Sequence, residues 1–317
     1  MATSYPYFTA SRNALDAITR LYDFVWPTAA ALWNLRWQVA GYNDIRGGTT
    51  TVEELKARFI EGSGIHGANL HRACIEHTWD QQRSDLAFVV LVNLFATYES
   101  WTVELMAEIG AAWPKGVDAR KVLQFPSSTD KQGKVRGIGA ELQHLTNPRS
   151  GGTAELHAVL ATQKGVHPKH LDDMLVVYRY FKECRNSLMH LGGRATSAAV
   201  SAAADMAALP ASVPFTIPKH AALVLHAPVI LDLYGTVGFS DVLRRLVLTI
   251  DAELTVAAPA EKILLDRWRQ DIGVVQLSAD PKKRHSALVR HMRKLHLPTL
   301  ASTTKLAQAL QTAGLVK

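Results

Sequence analysis

The stretch YRYFKECRNSLMH at residues 178–190, followed by a glycine pair at 192–193, is the most informative segment of this 317-residue chain. Its apolar residues, with those just upstream, recur at the spacing of one helical face. Glycine commonly ends a helix because it adopts left-handed backbone conformations without steric cost. The segment therefore predicts an amphipathic helix whose last turns carry Arg185, Asn186 and His190.

These three side chains are of the kind that RNA cleavage without a metal requires. Arginine is permanently cationic, and histidine changes its charge near neutral pH. His190 would take the proton of a 2′-hydroxyl or protonate the leaving 5′-oxygen, and Arg185 would stabilise charge on the phosphorane oxygens. Asn186 would hold the phosphate or orient His190. The expected products carry 2′,3′-cyclic phosphate and 5′-hydroxyl ends, and DNA would be inert because it lacks the attacking hydroxyl.

The cluster resembles the signature of the HEPN superfamily, in which an arginine, often followed by a polar residue, precedes a histidine by four to six residues. Only one Arg/His pair of this chain has both the adjacent amide and the glycine pair. The other pairs with suitable spacing are Arg72/His77, Arg284/His291 and Arg290/His296. The resemblance covers about residues 85–255. It implies an all-helical bundle, metal-independent endoribonuclease activity, and a role as a toxin or abortive-infection effector in bacterial antiviral defence.

The spacing of the cluster places a condition on the mechanism. Arg185 and His190 are five residues apart, about 140° around an ideal helix, whereas Asn186 and His190 share a face. A long arginine side chain can swing round, the helix can distort near its end, or a second copy can complete the site across a two-fold axis. The resemblance implies the last solution, since HEPN ribonucleases pair their motif helices. We therefore expect a homodimer with a composite cleft.

Other interpretations of the cluster remain open. Arg185 and His190 can simply mark a helix end, where cations interact favourably with the helix dipole. The domain can also be a non-catalytic HEPN-like module that binds a nucleotide or nucleic acid, dimerises, or regulates a partner. A third reading is a basic adaptor that delivers nucleic acid to another protein.

The rest of the chain predicts an all-α fold. Helical periodicity runs through residues 11–40, with a break or kink at Pro27, and through residues 84–112. Strand-like composition at 213–217 and 222–225 leaves room for a small β-hairpin. The tryptophans, Trp33 and Trp37 among them, are expected in the core.

We divide the chain into three parts on these patterns. Residues 1–84 form an N-terminal helical region, residues 85–255 the HEPN-like domain, and residues 256–317 a basic C-terminal helical module. The boundaries follow the start of the second long apolar helix and the change of character after Pro259.

Charged residues outside the cluster are the further candidates for the site. Glu99, on the long helix of residues 84–112, can orient Arg185 or His190 through a charge-assisted hydrogen bond, or can be a solvated surface glutamate. Cations in two segments can bind the RNA backbone, and in each case an ordinary basic surface is the alternative. These cations are Lys131, Lys134, Arg136, Lys282, Lys283, Arg284, Arg290 and Arg293.

Composition is compatible with an anionic partner, although net charge alone does not separate nucleic acid from an anionic membrane surface or from plain solubility. The net charge is +7 and 48% of the residues are hydrophobic. Two distant cysteines argue against a disulfide scaffold or a structural zinc site, and we find no secretory signal, transmembrane run, phosphate loop or HExxH motif. We therefore expect a cytoplasmic protein without cofactor or metal. Its partners would be RNA, a second copy and an activating or inhibiting protein, and no membrane.

Overall fold

The computed structural model describes residues 6–110, 123 and 152–317, and in that part of the chain the fold is helical. Helix bounds are, in chain order, α1 Thr9–Ile45, α2 Val52–Phe59, α3 Trp79–Ile109, α4 Ala154–Leu160, α5 Leu171–His190, α6 Ser197–Ala207, α7 Leu233–Leu254, α8 Ala258–Asp271, α9 Pro281–Lys294 and α10 Thr304–Thr312. A π-helical turn at Arg72–Glu76 and a 3-10 turn at Pro168–His170 complete the set. The all-α prediction is confirmed.

Local sequence signals explain where several helices begin. Thr51 and Glu54 form a reciprocal capping box at the start of α2. Thr78 and Gln81 do the same for α3, with the Thr78 N–H donating to Gln81 Oε1 at 2.7 Å. Each box satisfies two amides that a helix N-terminus leaves without partners.

Two local features differ from the expectations. Of the break or kink expected at Pro27, the break does not occur, because α1 continues through Pro27 to Ile45. The segments 213–217 and 222–225 form no hairpin but run as irregular backbone. Just beyond these segments, Pro228 forms an isolated antiparallel bridge with Arg194, because the chain after α5 lies against residues 226–229.

The core is built around the contacts of α3 with α5 and α7. Phe95 of α3 packs edge-on against Tyr178 of α5, with ring centroids 5.1 Å apart, and stacks on Phe239 of α7 at 5.4 Å. Phe181 stacks on the same Phe239 ring at 4.6 Å. These buried aromatic pairs fix the side of α5 that faces inward.

Helix α3 is long and strongly apolar. It is the one helix within residues 6–110 and 152–317 that reaches the length and hydropathy of a membrane-spanning segment. In this fold it packs against α1, α5 and α7, and a central core helix meets the same criterion. The finding is therefore compatible with a buried structural role.

The start of α1 is held by two carboxylates from distant helices. The Tyr7 and Phe8 N–H groups donate to Asp251 of α7 at 2.6 and 3.0 Å. The next two amides, those of Thr9 and Ala10, donate to Glu108 of α3 at 3.0 and 2.9 Å. The pair of carboxylates thus replaces the local cap that the sequence before α1 does not supply.

The C-terminal helices are docked on the same core. The Tyr7 hydroxyl donates to the Ala260 carbonyl at 2.6 Å, and Arg267 Nη1 donates to the Tyr7 carbonyl at 2.6 Å. Trp268 is fully buried and packs against His291. One continuous hydrophobic cluster runs from Tyr7 to Val316, so residues from all three predicted segments share it.

One face of α1 departs from the expectation for tryptophans. Trp33 and Trp37 are 38% and 61% exposed, so their assignment to the core is wrong. Trp33 instead packs at the surface against Trp37 and Trp79, with centroids 5.5 and 4.9 Å away. In contrast, Trp101 and Trp268 are buried as expected.

Candidate functional site

Helix α5 places the Arg185, Asn186 and His190 cluster at the edge of the core. Its inward face, which includes Tyr178, Phe181 and Cys184, is buried. Arg185 and Asn186 are partly buried, and His190 in the last turn is exposed. The helix therefore passes from the core to solvent at the predicted site.

Arg185 lies at the junction of α5 with α3. Its Nη2 is 3.9 Å from Glu99 Oε1, and its Nη1 donates to Asn186 Oδ1 at 3.3 Å. The guanidinium also lies over the Phe95 ring, 6.0 Å from the centroid. These contacts hold the guanidinium beside a carboxylate, an amide and an aromatic face. Part of the Arg185 side chain remains exposed to solvent.

Two polar atoms in this region are buried and have no hydrogen-bond partner among residues 6–110 and 152–317. They are Arg185 Nε and Ser187 Oγ. Buried donors of this kind are uncommon in folded proteins and are often found where a ligand or water completes the site. The guanidinium therefore keeps unused hydrogen-bonding capacity beside the cluster.

The glycine pair ends α5 as predicted. Gly192 and Gly193 have φ values of 62° and 75°, in the left-handed region that disfavours other residues. The Gly193 N–H donates to the Ser187 carbonyl at 3.0 Å and satisfies one of the last carbonyls of the helix. The reversal leaves His190 and Leu191 exposed at the tip of α5.

The chain after α5 is fixed against residues 226–229. The Val229 N–H donates to the Gly193 carbonyl at 2.8 Å, and the Ala195 N–H donates to the Ala227 carbonyl at 2.9 Å. Arg194 Nη1 also donates to the His226 carbonyl at 2.9 Å. This pairing anchors the helix end, so the site is held from both sides of the turn.

Lys182 is a residue of this site that the sequence analysis missed. It is four residues before Asn186 and eight before His190, so the three side chains share a helical face. It is only partly exposed, and burial lowers the pKa of its ammonium group, an effect to which Arg179 and Arg185 add and which Glu183 opposes. The repeated spacing of four was the signal that could have identified it.

Cys184, within the same segment, does not have the properties of a nucleophile. It is fully buried, and burial raises the pKa of its thiol to about 12. A reactive cysteine needs an accessible thiolate near neutral pH. Its role is therefore packing against the core.

The predicted RNA-binding cations fall into two groups. Lys131, Lys134 and Arg136 lie outside the described residues. The C-terminal five are all exposed on α9, whose buried face is apolar. They are Lys282, Lys283, Arg284, Arg290 and Arg293.

A cavity of about 510 Å³ between the first turns of α3 and residues 219–221 and 230–232 holds cations that are already paired. Lys219 Nζ is 2.9 Å from Asp232 Oδ2, and Arg83 Nη2 is 3.7 Å from the same carboxylate. Asp80 contributes a second negative charge to the cavity. The balance of charge makes this cavity a weaker anion site than the end of α5.

Comparisons with known proteins add no assignment: no family model, curated protein or solved structure matches the chain.

Proposed function

We propose that this protein is a metal-independent endoribonuclease of the HEPN type that acts as a toxin or abortive-infection effector in bacterial defence. The observation that carries the proposal is the position of Arg185, Asn186 and His190. An anchored, partly buried arginine and an exposed histidine occupy consecutive turns at a helix end. Such an arrangement suits a substrate that approaches from solvent.

In this proposal the three residues divide the chemistry of phosphodiester cleavage. His190 transfers the proton from the 2′-hydroxyl or to the leaving 5′-oxygen. Arg185, held by Glu99, stabilises the extra negative charge on the phosphorane, while Asn186 binds the phosphate or orients His190. The 2′-oxygen attacks phosphorus as the bond to the 5′-oxygen breaks, so the products have cyclic phosphate and 5′-hydroxyl ends.

The proposed site is composite, with two α5 ends meeting across a homodimer axis. The five-residue separation of Arg185 and His190 directs the two side chains to different sides of one helix. A second copy would supply the missing partner to each cleft. Sedimentation should therefore give a dimer at concentrations where cleavage is observed, and an active monomer would contradict the composite site.

The decisive experiment is cleavage of total tRNA and of a structured RNA with EDTA present. We expect the wild type to generate cyclic-phosphate ends and His190→Ala and Arg185→Ala to lose at least about 100-fold in rate, the size expected for a catalytic acid, base or charge stabiliser. Asp85→Asn, at an exposed position on α3, is the matched control. If the wild type cleaves nothing in vitro, expression in bacteria should still be toxic in a His190-dependent manner, and failure of both assays rejects the proposal.

The alternative function is a non-catalytic module that binds a nucleotide or nucleic acid, or that dimerises to regulate a partner. The observation that favours it is that Arg185 is partly neutralised by Glu99 and bonded to its neighbour Asn186. Under this alternative, Arg185→Ala would reduce thermal stability or ligand binding, and no RNA end groups would be produced.

A further inference from the structure

The net positive charge of this protein is concentrated at its C-terminal end. Residues 281–317 contain eight of the 35 Lys and Arg residues and none of the 28 Asp and Glu residues, so the other 280 residues carry a net charge of −1. A uniform distribution would serve solubility equally well. The concentration of charge indicates a local anionic partner.

Helix α9 presents most of these charges on one exposed surface, which we call the α9 cationic face. Its members are Lys282, Lys283, Arg284, Arg290, Arg293 and Lys294, all of them exposed. Within residues 6–110 and 152–317, none of the six side chains forms an ion pair with an Asp or Glu side chain. The Asp280 carboxylate, which caps α9, accepts from the backbone N–H groups of Lys282 and Lys283. Ion pairs in the described part of the chain therefore leave these six cationic side chains unneutralised.

The spacing of the cations fits a polymeric anion. Lys282, Arg290 and Arg293 recur at intervals of eight and three residues, which keeps them on one side of the helix. Lys283 and Lys294 lie beside this row, both on the same side of it. The row spans about 17 Å at 1.5 Å per residue, comparable with about five nucleotides at 3.4 Å per strand.

The opposite face of α9 indicates whether its partner is a nucleic acid or a membrane. Leu288, Val289 and Met292 are buried against the rest of the protein. An amphipathic helix that lies within a lipid surface inserts its apolar side chains between the acyl chains. Here those residues are already used for docking, and the exposed side offers cations and Ser286. A partner that is recognised by charge alone fits this surface better.

We propose that the α9 cationic face is a nucleic-acid anchor that binds the phosphate backbone of RNA or DNA without sequence preference. Phosphate contacts supply affinity but carry little sequence information, and the face has no aromatic side chain on which bases could stack. The anchor is separate from the α5 site. Helix α9 packs on Trp268 of α8, which adjoins the last turns of α3, whereas Arg185 contacts Phe95 and Glu99 in the middle of α3.

The test compares two variants with the same change in net charge. The first combines Lys282→Gln, Lys283→Gln, Arg290→Gln and Arg293→Gln on the face. The control replaces four exposed cations elsewhere, as Arg20→Gln, Lys56→Gln, Lys169→Gln and Arg244→Gln. Both are made in a His190→Ala background so that RNA is not consumed. Circular dichroism and thermal melting show that each is folded.

Binding is measured by fluorescence anisotropy with labelled RNA and DNA duplexes of about 20 base pairs, between about 50 and 200 mM salt. We call the His190→Ala protein without further changes the parent. If it makes four phosphate contacts, its affinity should fall on the order of 100-fold over this range. The α9 variant should bind at least about tenfold more weakly at low salt and lose most of that salt dependence, while the control resembles the parent.

Several results would overturn the anchor. Equal weakening in both variants would mean that only net charge matters, and unchanged binding in the α9 variant would place the contacts elsewhere. Stronger binding to phosphatidylserine vesicles than to either duplex, lost in the α9 variant, would assign the face to a membrane. None of these outcomes depends on cleavage, so the anchor and the ribonuclease can fail independently.

Discussion

At the scale of single residues, the chemistry of the proposed site depends on how Arg185 is held. A guanidinium in water has many rotamers and loses entropy when it grips a phosphate. Here Glu99, Asn186 and the Phe95 ring restrict it in advance. Preorganised charge is more effective than charge that must be recruited during the reaction.

Replacing Glu99 with Gln should therefore slow cleavage without unfolding the protein. The ion pair is partly exposed, with 3.9 Å between Arg185 Nη2 and Glu99 Oε1. Its loss should therefore raise the activation free energy by about 1 kcal/mol, which slows cleavage roughly fivefold. Because Glu99 acts through Arg185, the loss should appear in kcat, with KM little changed, and should vanish in an Arg185→Ala background. Double-mutant kinetics measure this coupling, and additive losses would show that Glu99 acts elsewhere.

Lys182 should contribute a second cation to the same face. Lys182→Met is expected to lower kcat/KM about tenfold, a loss of about 1.4 kcal/mol of transition-state stabilisation, and Lys182→Arg should retain most of the activity because the charge is kept. Lys169→Met, at an exposed position just before α5, is the control. If the Lys182 and Lys169 variants behave alike, Lys182 has no role in the site.

The residue scale is also where sequence reasoning reached furthest. The cluster Arg185, Asn186 and His190 lies at a helix end closed by left-handed glycines, as its pattern indicated. Lys182 was missed because a charged residue in an amphipathic helix is expected to face water. Its partial burial depends on neighbouring helices, which one sequence pattern does not reveal.

At the scale of helices, the most consequential contact is the capping of α1 by Asp251 and Glu108. The capping boxes of α2 and α3 are local features, because their partners are three residues apart. The cap of α1 joins Tyr7 to a residue 244 positions away. Such a contact follows from tertiary packing alone, and so does the continuation of α1 through Pro27, where packing against α3 outweighs the lost hydrogen bond.

Asp251→Asn should destabilise the fold by about 1–3 kcal/mol. An amide presents only one acceptor, so either the Tyr7 or the Phe8 N–H would face a donor in a buried site. Chemical denaturation above pH 7, where the Asp251 carboxyl is ionised and both oxygens accept, measures the change in the free energy of unfolding. Asp241→Asn on the same helix, where the carboxylate is about half exposed in its ion pair with Arg245, is the control and should change stability less. Equal effects would refute the cap.

The same carboxyl predicts an unusual dependence of stability on pH. Burial raises the pKa of Asp251 to about 7, although hydrogen bonds from Tyr7, Ser11 and Phe8 oppose the rise. The folded state therefore keeps a proton that the unfolded chain loses near the ordinary carboxyl pKa of about 3.9. The contribution of this proton to the free energy of unfolding is full below that pH and falls as the pH rises towards 7. Denaturation of wild type and Asp251→Asn at several pH values should show their difference narrowing with increasing pH in this range, and a widening difference would contradict it.

At the scale of the whole molecule, the proposed functions occupy different places along α3. The α5 cluster contacts the middle of α3, and the C-terminal helices pack near its last turns. The shared hydrophobic cluster fixes the two regions in one body. Sequence patterns identified both regions, but not that the N-terminal Tyr7 would help dock the C-terminal helices through Ala260 and Arg267.

This separation leads to a prediction that joins the two proposals. In the α9 variant with four substitutions, KM for RNA should rise about tenfold and kcat should be unchanged, because the anchor binds substrate and transition state equally. His190→Ala should lower kcat at least about 100-fold with little effect on RNA affinity. Since the two sites share no partners, the losses in kcat/KM should add when the changes are combined. Steady-state cleavage measured at several salt concentrations gives both kcat and KM. A fall in kcat in the α9 variant would mean that its cations also act on the reacting phosphate.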